Sequence, residues 1–93
     1  MTLRGTWRKV SSKDCDRQYP DEIEFRDATY LGRKGAGQGF IVWDAGGFQV
    51  VAPDEVKIEI ATDEQVPYRF SLEGDMVTFR DAEGCEFSYR RVG

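Results

Sequence analysis

Strict two-residue alternation is the feature that most constrains this chain. Over residues 55–60, Val56, Ile58 and Ile60 fall on one face and Glu55, Lys57 and Glu59 on the other. Over 66–73, Val66, Tyr68, Phe70 and Leu72 face one way, and Pro67, Arg69, Ser71 and Glu73 the other. Over 85–91, Phe87 and Tyr89 oppose Glu86, Ser88 and Arg90. A surface that is half apolar and half charged belongs to an antiparallel sheet with one wet face.

Turn chemistry separates these runs at short, regular intervals. Gly74-Asp75 leaves two residues between strands, with Gly in the first place, as a type II′ turn requires. Asp81-Ala82-Glu83-Gly84 reads as a type I turn closed by Gly, and Asp44-Ala45-Gly46-Gly47 has the same character. Pro53-Asp54 and Asp27-Ala28 supply two further breaks. Nine candidate strands result, near 5–11, 21–26, 29–34, 40–44, 47–52, 55–60, 66–73, 76–80 and 85–92. Residues 11–19 are polar and hold at most one helical turn before Pro20.

Eight or nine strands with no helix to cover their apolar face must curl on themselves or split into a sandwich. Very short connections favour a meander closed into a barrel. The 93 residues, 1–93, therefore predict one all-β domain, an antiparallel up-and-down barrel of 8–9 strands. A barrel of that size has room inside for its own side chains or for one small ligand.

Composition removes several functions. The chain has no His, so it lacks the usual neutral-pH general base and the commonest metal ligand. No Asp/Glu spacing matches a hard-cation loop; Asp14-Cys15-Asp16 is only a fragment of one, so neither a metal nor a cofactor is expected. A net charge of -4 disfavours nucleic acid as a partner. No apolar run approaches membrane-spanning length, so no membrane is expected either. Lys34-Gly35-Ala36-Gly37-Gln38-Gly39 resembles a phosphate loop in composition, but a strand rather than a helix is predicted after it.

Two cysteines, Cys15 and Cys85, lie near opposite ends of the chain. Their spacing fits neither a zinc site nor a Cys-x-x-Cys redox motif. Two readings stay open, free thiols or one long-range bridge, since the first and last strands of a closed barrel are neighbours. The absence of an apolar leader points to a cytoplasmic protein, and a secreted mature form carrying an added Met is the alternative.

The opening Gly5-Thr6-Trp7 resembles the Gly-x-Trp start of lipocalin-like (calycin-type) barrels. The ending from Asp81 to Val92 resembles the last hairpin of small bacterial lipocalin-like proteins. The resemblance implies that Trp7 closes one end of the barrel and that Arg90 or Arg91 packs over it. It also implies a non-enzymatic binding protein for a small apolar ligand. Trp43, Tyr68, Phe70, Phe79, Phe87 and Tyr89 are the candidates to line its pocket, or simply to fill the barrel. The alternative is a protein–protein interaction or inhibitor module, acting as a homodimer or through a barrel face or strand edge. A barrel isomerase or cyclase would need a carboxylate or a Tyr inside with a shifted pKa, and among the carboxylates Asp44, on the face of Phe40 and Val42, is the nearest candidate.

Overall fold

The computed structural model describes residues 2–93. Alternation and turns produce eight strands: β1 (Gly5–Lys9), β2 (Glu22–Phe25), β3 (Thr29–Arg33), β4 (Ala45–Ala52), β5 (Glu55–Glu59), β6 (Gln65–Glu73), β7 (Met76–Arg80) and β8 (Glu86–Arg91). Each pairs antiparallel with the next, and β8 pairs back onto β1, so the sheet is a closed up-and-down barrel. The closing ladder sets Trp7 opposite Arg91 and Lys9 opposite Tyr89. A single 3-10 turn, Asp14–Asp16, is the one helical element among the described residues.

The turns behave as their residues dictate. Gly74 takes φ +58° while Asp75 stays out of the left-handed region, which is the type II′ combination. Asp81 closes the β7–β8 connection by accepting from the backbone N–H groups of Glu83 (3.0 Å) and Cys85 (2.9 Å) with one carboxylate oxygen. Pro67 lies inside β6, opposite Lys57. Its missing N–H would point towards β7, whose pairing with β6 begins only at Arg69–Arg80, so no ladder bond is lost.

The candidate strand at 40–44 is not a strand. Residues 34–44 form a loop, and β4 begins at Ala45, inside the predicted Asp44–Gly47 turn. The cause is visible at Gly32. Its N–H donates to the Asp44 carbonyl at 2.7 Å, and a Cβ there would sit 1.9 Å from the Trp43 carbonyl oxygen. The loop backbone thus lies directly on β3, where only glycine leaves space. It makes scattered bonds, Val42 N–H to Gln18 and Ala61 N–H to Val42, instead of a ladder. Alternation survives without the strand: Ile41 and Trp43 are buried and Phe40 and Asp44 are exposed. The face assigned to Asp44 is therefore reversed, and that carboxylate lies outside the barrel.

The two barrel ends differ. One, the base, carries the segment 10–21, the 34–44 loop and the β5–β6 and β7–β8 turns. The other, the mouth, carries the β2–β3, β4–β5 and β6–β7 turns with residues 2–4. No helix among the described residues is long and apolar enough to cross a membrane.

Candidate binding site

All six aromatic candidates are buried in the core. Trp43 is the hub: Tyr19, Tyr68, Phe79 and Phe87 meet it edge-on with ring centroids 4.9–5.3 Å away. Phe79 in turn contacts Phe87 and Tyr89 at 5.7 and 6.0 Å. Trp43, Tyr68, Phe79, Phe87 and Tyr89 thus pack against one another in one core cluster inside the barrel. Trp43 Nε1 is buried without a hydrogen-bond partner, the one such side-chain atom among the described residues. Phe70 alone of the six reaches an open surface, at the mouth.

Tyr19 was not legible as core. It precedes Pro20 in a polar segment, yet it is buried and stacks on Phe87 with centroids 3.9 Å apart. Its hydroxyl donates to Asp81 Oδ2 at 2.8 Å, and that of Tyr89 to the Pro20 carbonyl at 2.6 Å. Burial pushes the Tyr19, Tyr30 and Tyr89 hydroxyls well up from their ordinary value and raises that of Tyr68. The Tyr19, Tyr30 and Tyr89 phenols are neutral donors, to Asp81 and to the Glu59 and Pro20 carbonyls.

Four fasteners hold segment 10–21 across the base. Lys9 Nζ, nearly buried, donates to the carbonyls of Asp16 (2.9 Å) and Tyr19 (3.0 Å) and lies 3.7 Å from the buried Asp16 carboxylate. Ser11 Oγ donates to that carboxylate at 2.7 Å. Gln38 folds back from the glycine loop, donating to the Arg17 and Tyr19 carbonyls and accepting from the Gly35 N–H. The loop that looked like a phosphate cradle is thereby tied down by its own glutamine. Finally, Cys15 and Cys85 are joined in a disulfide, with Cα atoms 6.0 Å apart.

At the other end Trp7 is fully buried and donates Nε1–H to the Leu3 carbonyl at 2.7 Å. The Arg91 guanidinium sits 4.2 Å above its ring centroid and donates to the carbonyls of Arg4 and Thr2. Arg90 points outward, 3.8 Å from Asp75. Arg91 is thus the residue over Trp7, and it fastens residues 2–4 as one wall of the mouth.

Between that wall, the β2–β3 turn and the β4–β5 hairpin lies a cleft of about 950 Å³. Leu3, Phe48, Val50, Pro53, Phe70 and Leu72 give it an apolar lining. Val50 shares the inward parity of Phe48 yet is 47% exposed, at the point where the β4–β5 register shifts between Val50 and Ala52. Arg4, Arg26 and Asp27 stand at the rim, with Arg4 paired to Asp27 at 3.2 Å. Nearby, Glu24 is held below the usual carboxylate range by hydrogen bonds from Arg33 and then Arg26.

No known protein family, curated protein or solved structure matches this chain. Its eight-stranded antiparallel barrel is compatible with the lipocalin-like architecture that Gly5-Thr6-Trp7 suggested.

Sequence reasoning found Phe70 but missed Phe48, Val50 and Leu3 as cleft residues. Phe48 and Val50 stand two apart after Gly47, so their shared face was available as a signal. Leu3 carried none, because its burial depends on Arg91 from the far end of the chain.

Proposed function

We propose that this protein is a lipocalin-like, non-enzymatic binding module for a small apolar molecule, held at the barrel mouth rather than at its centre. The observation that carries the reading is the apolar cleft at the mouth, where Val50 is 47% exposed and Phe48 and Leu72 are only partly buried. Val50, Phe48, Phe70 and Leu72 present apolar surface into a concave space, rimmed by a few charged groups, which is how ligand sites are built. Single exposed apolar residues are ordinary; a concave cluster is not. The closed barrel offers no unpaired strand edge among the described residues, so pairing through an edge gains no support.

Titration with octanol, followed by backbone amide NMR shifts, tests this. Saturable shifts confined to Leu3, Ala28, Phe48, Val50, Phe70 and Leu72 are expected, and Val50→Glu should abolish them while the remaining spectrum stays native. Shifts that never saturate, or that centre on Trp43 and Phe87, would overturn the proposal.

A further inference from the structure

The disulfide lies in a groove at the base that serves neither the core nor the mouth. The groove is about 660 Å³ and is lined by Cys15, Cys85, Asp14, Arg17, Asp81 and Glu83, among others. The two halves of the bridge differ. Cys15 is exposed, whereas Cys85 is 8% exposed. The lining charge is unbalanced. Arg17 reaches Asp14 at 3.8 Å, while Asp81 is engaged only by neutral donors and Glu83 has no ion-pair partner among the described residues.

The geometry points to a thiol-exchange site at Cys15–Cys85, open in the folded protein and selective for thiols whose thiolate is flanked by a cationic group. Access decides which sulfur is attacked, and Cys15 is the more exposed of the two. The incoming thiolate bonds to Cys15 Sγ. The Cys15–Cys85 bond breaks, its electron pair leaves on Cys85 Sγ, and that sulfur takes a proton from water. A second thiolate then attacks the mixed disulfide, leaving as the oxidised disulfide of the reductant. Cys15 departs as a thiolate and is protonated. Two electrons pass from the two reductant thiols to the bridge. The acidic groove raises the barrier for an anionic thiol and lowers it for a cationic one, an effect that salt screens.

The consequence is local. Opening the bridge removes the only covalent fastener of segment 10–21. The Lys9–Asp16 and Tyr19–Asp81 contacts remain. Exchange of backbone amides in 13–17 should quicken, while strand amides stay protected.

The experiment compares cysteamine, 2-mercaptoethanol and thioglycolate on the native protein, with rates expressed per thiolate and relative to the same thiol's rate on an uncharged small disulfide, because a more basic thiolate is intrinsically the better nucleophile. Mass spectrometry after acid quench and alkylation locates the mixed disulfide. The expected order is cysteamine fastest and thioglycolate slowest at low salt. The gap should shrink at high salt and in Glu83→Gln, with the adduct on Cys15 and the alkyl group on Cys85. The inference is overturned by equal rates, by the reverse order, by an adduct on Cys85, or by reduction that requires denaturant. It is equally overturned if the purified chain gains no hydrogens on reduction.

Discussion

Two phenylalanines show how little residue type decides by itself. Phe79 is fully buried at the centre of the aromatic cluster, and Phe40 is 67% exposed on the base loop. Phe79→Ala removes a ring whose neighbours, Trp43 and Phe87, cannot collapse into the space, and should cost about 3–5 kcal/mol. Phe40→Ala should stay within about 0.5 kcal/mol. Urea denaturation of both variants measures the contrast. Lys9 and Asp16 make the complementary case for charge, with side chains 8% and 3% exposed. Each partner keeps other contacts, Lys9 with the Asp21 carboxylate at 3.4 Å and Asp16 with the Ser11 hydroxyl and the Lys13 N–H, so Lys9→Met and Asp16→Leu should each cost about 1–3 kcal/mol. The double variant should cost clearly less than the two together. Additive losses in the same denaturation series would show that the pair is not coupled.

At the level of elements, the disulfide joins the 3-10 turn to the residue just before β8 across 70 positions. Loop entropy assigns such a cross-link about 4 kcal/mol. Cys15→Ser combined with Cys85→Ser should therefore lower the unfolding free energy by roughly that amount, read from urea denaturation with a larger m-value, since the unfolded chain without its cross-link exposes more surface. The same elements show where the sequence was legible. β5, β6 and β8 were readable because their side chains alternate strictly and their turns carry Gly, Pro or Asp at the demanded positions. Residues 40–44 were not, because alternation fixes which side chains are buried without fixing whether the backbone pairs. That depended on Gly32, a dozen residues upstream, accepting the loop against its own Cα. The base fasteners were illegible for a related reason. Lys9, Asp16, Tyr19 and Gln38 meet only after closure of the barrel has folded segment 10–21 back over its end. The mouth was half legible, since strand parity gave Phe70 and Leu72 but not the wall supplied by Leu3.

Across the whole molecule, all four tyrosines of the chain are buried as neutral phenols. Their folded-state pKa values lie above the ordinary 10.0, chiefly through burial. The unfolded chain therefore releases these protons at lower pH than the folded one. The stability they contribute is fully present below about pH 10 and is lost as pH rises beyond it. Tyrosinate absorbance should stay low in the native protein through its usual range, then rise together with loss of near-UV circular dichroism. Ionisation of one or more tyrosines well before unfolding would contradict this burial. The ladder order has a kinetic consequence. Every pairing but one joins strands adjacent along the chain, and only β1 with β8 unites its two extremes. Neighbouring hairpins can zip with small loop-closure entropy, whereas the last seam must gather the full contour of the chain. Folding should thus wait on that seam. Thr6 and Val92, bonded across it at 2.8 Å, are the place where a substitution would set the clock rather than merely lower the plateau.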